Sequence, residues 1–565
     1  MNCRIAHITD LHWRKAIPGT SGCPNRQSRL MPYALRDALH KMKEQEVDLI
    51  TITGDLLDVP EGELSATLLS QITEDYTEMK ALLDDCGTEY ICIPGNHDHL
   101  DSYFKVFGEK RTKEACGYEF VSFFDHAPWP DDVYRQGEDM ATFEKSLNST
   151  GPRNQIHLQH YLLYQTSLGD QYLPYGMTEA DPSELVRKRL DKSLSNHANT
   201  DSEGLLSKAQ GSSRPKLFLS GHFHRGVQLN KVGDFYIHAS PSFCENECSY
   251  ALLEVSEKEV KSQLVSLSEE IASTSIEFPY VRKGSWYKGS LHTHCKESSG
   301  CSNTPLTTGV EMYSRKNYDF MAITDHDKIT DLSEVRKDNP DIVFFEGFEH
   351  SVTNHMLFIS ETIDPYYEIE DKKEALKSAR EELTVVCHPQ GPKKDYWTVD
   401  ELKTYPVLPT GVEVFNGHYG APGWRLAGAG WDYTDFWTEC LDNNIKLFAY
   451  ANDDYHEHDK DFGNGWNQVF SKGNAPSDIL SSLKSGSCYA TTGLLIHNLH
   501  EYRGRVIICF ENEVKGTFYG PNHEVLFTER SQCFEYQHEE EAYFRFEAEN
   551  NGRKCWTQAF HKRQD

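Results

Sequence analysis

Tyr90-Ile91-Cys92-Ile93-Pro94-Gly95-Asn96-His97-Asp98 is the stretch from which the rest of the chain can be read. Tyr90 to Ile93 is a short apolar run that predicts a buried strand, and Gly95 lets the backbone turn sharply where that strand ends. The turn then presents an amide, an imidazole and a carboxylate in three consecutive positions. Packing gains little from that set, whereas a metal-bound phosphate could be held by it. A lone Asn-His pair would read as a polar surface turn, so the decision rests on what else the chain supplies.

The same arrangement recurs on both sides. Ile5 to Ile8 is a predicted strand followed by Asp10-Leu11-His12. Met31 to Gln45 carries Leu35, Leu39 and Met42 on one helical face, and the strand Val47 to Thr53 ends in Gly54-Asp55. Downstream, Ile156-His157-Leu158-Gln159-His160 holds two histidines, and Leu217 to Ser220 runs into Gly221-His222-Phe223-His224. Strands alternating with helices, with polar clusters where the strands end, imply a layered α/β fold. The ordered series Asp-x-His, Gly-Asp, Gly-Asn-His-Asp, a late His and Gly-His-x-His resembles the calcineurin-like metallophosphoesterases over residues 4–255.

That resemblance implies a four-layer αββα sandwich in a domain spanning 1–270, with two divalent metals (Mn, Fe or Zn) bridged by Asp55. One metal would be held by Asp10, His12 and His224, the other by Asn96, His160 and His222. His157 competes with His160, which lies nearer the polar end of its segment. Carboxylate and imidazole suit such ions, and a pair of them can generate hydroxide and clamp phosphoryl oxygens. Asp55 and His97 are thus the implied catalytic residues. His97 is left to contact the phosphate or protonate the leaving oxygen, with Asp98 expected to orient it. Asp101 to Phe107 is similar to the cyclic-nucleotide phosphodiesterase-like branch. Asp125 to Ser213 reads as a polar, poorly periodic insertion beside His160, of a length that usually marks a lid or a disordered excursion.

From Trp286 a second series begins. Gly289 to Leu291 precedes His292-Thr293-His294, and Phe320 to Ile323 precedes Thr324-Asp325-His326-Asp327. Ile342 to Phe345 leads to Glu349, His355 opens another apolar run, Thr384 to Cys387 precedes His388, and Leu447 to Tyr450 delivers Asp454 and His456. A closed parallel β/α barrel gathers such residues, because its C-terminal rim collects a loop from every strand. The series resembles the PHP (polymerase and histidinol phosphatase) family over 286–500. It implies a distorted (β/α)7 barrel whose ligands are His292, His294, His326, Glu349, His355, His388, Asp454 and His456.

One departure bears on the metal count. Where that family often has an aspartate after His-x-His, this chain reads Cys295-Lys296-Glu297-Ser298-Ser299-Gly300. Ser299 stands at the expected spot with Glu297 two residues away, so two or three divalent metals (Zn, Mn or Fe) are expected. Asp325 and Asp453 are expected to orient neighbouring histidines. Lys328 and Arg425 are candidate phosphate ligands. Leu483 to Gly493 is similar to the closing segment of stand-alone PHP phosphoesterases. Short β runs from 501 to 565 predict a small β-sandwich-like appendage.

At 565 residues the chain is too long for one core. Lys+Arg 57 against Asp+Glu 87 leaves a net charge of −30, which opposes autonomous binding of long nucleic acids but not of a small phosphorylated substrate. No apolar run approaches the ~18 residues of a membrane span, and the N-terminus shows no signal-peptide pattern. Fifteen cysteines, an odd number without a CxxC pair, suit reduced thiols in the cytoplasm. A homo-oligomer or a partner subunit is compatible with the chain, and no membrane partner is expected. The leading expectation is a bifunctional metal-dependent phosphoesterase acting on diesters and monoesters of nucleotides or other small phosphorylated substrates. The alternatives are a nuclease acting on nucleic-acid ends, as part of a defence or repair complex, and a regulatory metal-containing ligand-binding subunit.

Overall fold

The computed structural model describes residues 2–23, 25–125, 132–164, 173–175, 177, 184–245, 247–420, 431–457 and 461–564. The chain divides into two compact units, Met1–Thr274 with Asn498–Arg503, and Ser275–His497 with Gly504–Asp565.

In the first unit, one sheet runs in the order Val260–Val265, Tyr250–Ser256, Asn2–Ile8, Leu49–Thr53, Glu89–Ile93. A second runs Thr112–Ala115, Tyr118–Ser122, Gln155–Leu158, Pro215–Ser220, Phe235–Ala239, Val227–Val232. Ile5, Leu49, Ile91 and Leu253 from the first sheet share one core with Phe120, Ile156 and Leu217 from the second, so the sheets pack face to face. Ala6, Ile8, Ile50 and Ile52 alternate with that inner set and are fully buried too. Their cover comes from the crossover helices Met31–Glu44 and Ala66–Cys86. The second helix starts at Ser65, whose hydroxyl accepts from the Leu68 N–H, and stops at Gly87 with φ 75°.

The insertion expected to be poorly periodic supplies the opposite helix layer. Gly137–Asn148, Glu184–Asn196 and Ser202–Gln210 are helices, and Phe143, Leu190, Leu194, Leu205 and Leu206 pack on Val121, Phe218 and Ile237. Such helices are held less by their own propensity than by the apolar face they bury against the sheet beneath them.

In the second unit the neighbours Ser285–Ser290, Phe320–Ile323 and Val343–His350 are parallel. Met356–Ser360 is antiparallel to both of its neighbours, and Leu383–Val386, Gly411–Asn416 and Phe448–Asn452 continue in parallel. This sheet curls until its last parallel strand reaches Trp466–Ser471, which pairs antiparallel with the first strand. Asn467 bonds both the N–H and the carbonyl of Ala451, and Asn452 Oδ1 accepts from the Leu291 N–H at 3.0 Å.

The C-terminal segment is not the separate small sandwich expected from its turns. Arg553–Trp556 pairs with Cys488–Thr491, which extends the same sheet, and Trp556 lies in one core with Phe436 and Trp437. Gln558 fastens the join by bonding Ala449 N–H and the Ala449 and Cys488 carbonyls. Arg505–Tyr519 and Val525–Gln537 form a long antiparallel hairpin. Among the described residues no helix is long and apolar enough to cross a membrane.

Candidate functional site

Every polar cluster of the first unit lies just beyond the C-terminal end of a parallel strand. Asp10, His12, Asp55 and His222 hold left-handed φ values of 53°, 45°, 50° and 63°. Each costs a non-glycine residue about 1–3 kcal/mol, and such strain persists only where the surrounding fold over-determines it. The reward is convergence. His12 Nε2 lies 3.4 Å from His224 Nε2 and 3.5 Å from Asp55 Oδ2, and His224 Nε2 lies 3.4 Å from Asp10 Oδ1. On the other side of Asp55, His160 Nε2 is 3.4 Å from the same Oδ2 and 3.0 Å from Asn96 Oδ1. Donor atoms of Asp10, His12, Asp55 and His224 lie within 4.8 Å of one another, and so do those of Asp55, His160 and His222. Asp55 belongs to both groups, as a bridging carboxylate would.

His157, the competitor, is buried among Phe123, Phe143 and Phe218 with Nε2 against Gln155. His160 is the histidine brought to the cluster, with Nδ1 2.8 Å from the Thr53 carbonyl.

His97 donates its backbone N–H to Asp55 Oδ1, and its Nδ1 stands 3.1 Å from Asp58 Oδ1. Asp98 does not orient it. The Asp98 carboxylate accepts from Tyr76 OH and from the N–H groups of Leu56, Leu57 and Gly95, which pins the two site loops together. The orienting carboxylate is Asp58, three residues beyond Asp55; its signal was simply a second aspartate in the same strand-end loop. Glu245, also missed, holds His224 Nδ1 at 2.8 Å. His197, from the inserted segment, brings its ring to 5.2 Å from that of His222.

In the second unit one carboxylate is the hub. Glu349 Oε2 lies 3.4 Å from His292 Nε2, 3.4 Å from His294 Nε2 and 3.0 Å from His326 Nδ1. Its Oε1 lies 2.8 Å from His355 Nδ1 and 3.1 Å from His388 Nε2. Asp454 Oδ1 faces His292 and His294 at 3.1 and 3.2 Å and His456 Nδ1 at 3.4 Å. All eight residues expected here are therefore brought together. His388 and Asp454 again carry positive φ, 25° and 52°.

The supporting carboxylates differ from expectation. Asp453 accepts from Tyr313 OH and from the N–H groups of Gly463, Asn464 and Gly465, and no histidine is among these partners. Asp325 receives the Cys295 N–H and thiol, with His294 Nδ1 at 3.9 Å. Glu413 is what orients His292, at 2.8 Å from Nδ1, while it also accepts from His388 N–H, Asn416 and Asn452. The Lys328 ammonium reaches the Glu297 carbonyl, and Arg425 lies outside the described residues.

Both clusters suit divalent cations. Asp10 Oδ1 and Asp454 Oδ1 are buried without a hydrogen-bond donor. Burial pulls His160 down, yet Asp55 and Asp10 outweigh it and hold that imidazole at about 9; Asp10 and Glu245 likewise hold His224 at about 10. Burial also lowers His326, where the neighbouring Cys301 thiol and Glu349 more than offset it and bring it to about 10. The carboxylates thus demand positive charge, which a metal ion would supply in place of protons.

Residues 3–226 match the family described as Calcineurin-like phosphoesterase. The first unit therefore contains a domain of the metal-dependent phosphoesterases. A protein of Psychrobacter arcticus described as a "Probable cyclic nucleotide phosphodiesterase" is 27% identical over 99 residues, 17% of this chain and 32% of that protein. The chain thus spans about a third of the length of this curated relative. Among solved structures, a dimetal phosphatase from Danio rerio is 12% identical, covering 46% of this chain and 98% of its own, with a TM-score of 0.31. A two-domain protein from Bacteroides vulgatus, described as containing a predicted PHP-like metal-dependent phosphoesterase, is 18% identical over 52% of this chain and 91% of its own, with a TM-score of 0.31.

Proposed function

We propose that the chain is a bifunctional metal-dependent phosphoesterase, with a diesterase centre in the N-terminal domain and a PHP-type phosphatase centre in the second. The observation that carries this reading is the shared carboxylate of each unit. Asp55 is shared by two donor groups, and Glu349 by five imidazoles. Asp10, His12, Asp55, Asn96, His160, His222 and His224 would hold the ions of the first centre, and the eight residues around Glu349 and Asp454 those of the second. When bound, such ions supply an activated water and neutralise the phosphoryl oxygens.

The protein's own groups supply the rest. Asp58 Oδ1, 3.1 Å from His97 Nδ1, would hold that ring so that it hands a proton to the departing oxygen. In the second unit, Glu413 fixes the tautomer and tilt of His292. A nucleotide-type diester cut by the first centre leaves a monoester for the second, which gives two hydrolytic centres on one chain a chemical purpose.

Assays of a nucleotide diester and a nucleotide monoester with added Mn²⁺, using Asn96→Ala and His292→Ala, test the division of labour. The expected result is loss of diesterase in the first variant and of monoesterase in the second. If each variant kept both activities in full, the proposal would fail, and rapid cleavage of oligonucleotide ends in preference to free nucleotides would move it towards a nuclease.

A further inference from the structure

We infer that Cys301 is a metal ligand of the second centre, completing with His294, His326 and His456 a three-nitrogen, one-sulfur site for a zinc-class ion; this rests on the reading of that centre as a metal site. The aspartate expected after His-x-His is missing from this chain, and neither proposed stand-in takes its place. Ser299 Oγ accepts the His326 backbone N–H at 3.2 Å and lies 3.4 Å from His294 Nδ1, so it supports the two histidines, and the Glu297 carboxylate is turned away to accept the Leu306 N–H at 3.0 Å. Cys295, the other nearby thiol, is committed to Asp325 at 3.0 Å.

Cys301 stands in the position those residues leave. One donor atom from each of His294, Cys301, His326 and His456 lies within 4.8 Å of the others. Donors around one tetrahedral zinc, at ~2.0 Å for nitrogen and ~2.3 Å for sulfur, sit about 3.5 Å apart, so small side-chain rotations close the set. The loop is fastened for that purpose: the Ser302 hydroxyl, next to Cys301, donates to the His456 carbonyl at 2.9 Å, and the Lys296 N–H bonds Thr304 across the loop base. A thiolate among imidazoles favours Zn²⁺, Co²⁺ or Fe²⁺ over Mn²⁺ or Mg²⁺, whereas an aspartate in its place would favour the harder ions. The substitution therefore bears on metal selectivity, and it gives this centre a different preference from the oxygen-richer centre around Asp55.

The test is a Co²⁺ titration of metal-stripped full-length protein, with an Asp55→Asn variant to weaken the first centre. Near-ultraviolet thiolate-to-cobalt charge transfer, visible cobalt bands and cobalt bound per chain are read together. Charge transfer is expected in the wild type and in Asp55→Asn. It should be absent in Cys301→Ser, with at least a tenfold weaker affinity for one ion. Cys301→Asp should keep the ion without the charge-transfer band and shift the preference towards Mn²⁺, which guards against a folding artefact in the serine variant. Visible cobalt bands without charge transfer in Asp55→Asn, or an undiminished band in Cys301→Ser, would overturn the assignment of Cys301 while leaving the second centre standing. Failure of Asp55→Asn to bind any cobalt would overturn both.

Discussion

His97 is held from two sides, its N–H on Asp55 and its imidazole against Asp58, with its ring edge-on to His12 at 4.7 Å. Burial pulls its pKa down, but Asp55 and Asp58 outweigh burial and leave it above the ordinary value. A raised pKa means that the proton is present below it and lost as pH rises through it, which is the behaviour of a general acid. His97→Ala should lower kcat about 10²–10⁴-fold on a diester with an alkoxide leaving group. A nitrophenyl ester, whose leaving group needs no proton, should lose far less. Equal losses on both substrates would show that His97 acts on the phosphate rather than on the leaving oxygen. Asp58→Asn should shift the alkaline limb of the pH–rate profile to lower pH, because one of the two charges that hold the proton is removed.

The strand ends carry the chemistry at the next scale. Asp55 and His160 crowd Gly95 so closely that an added Cβ would meet the Asp55 backbone and carboxylate, and Gly54 faces His160 in the same way with φ +96°. The Pro94 to Asp98 turn is thus not merely permissive; the absent side chain leaves the space that the Asp55 carboxylate and the His160 ring occupy. Gly95→Ala should weaken metal binding at the first centre and abolish the diesterase activity proposed for it, with the monoesterase activity proposed for the second centre unaffected. Metal content per chain together with the two assays checks this, and full retention of bound metal would refute it. Helix periodicity told nothing of this crowding, since it depends on which loops meet above the sheets.

At the scale of the whole molecule, two buried histidines of the N-terminal domain are held neutral in the folded state until the pH falls to about 3. Burial, aided by Arg135 and Arg214, takes His157 to about 3, and burial alone takes His238 to about 3. The unfolded chain protonates both near pH ~6.5, so it binds more protons than the folded domain between about 6.5 and 3, and stability falls as pH drops through that window. Each contributes about 1.4 kcal/mol per pH unit once well inside it. Urea unfolding of the N-terminal domain in the full chain should lose stability from pH 7 to 5, and His157→Gln should flatten that loss. An unchanged pH slope in the variant would show that His157 is protonated in the fold. What the amino-acid sequence determined by itself was the metal-type residues at strand ends, because strand, turn and ligand are adjacent in the chain and each leaves a local pattern. Only the tertiary structure decided which carboxylates serve which histidines. Asp58 holds the ring that Asp98 was expected to hold, and Glu413, from a distant strand, holds His292, because a side chain's partner is set by how loops from different strands converge. The same reason explains Cys301, the helical layer built from the insertion and the C-terminal strands that extend the second sheet. Each depends on a surface that exists only after distant segments have packed.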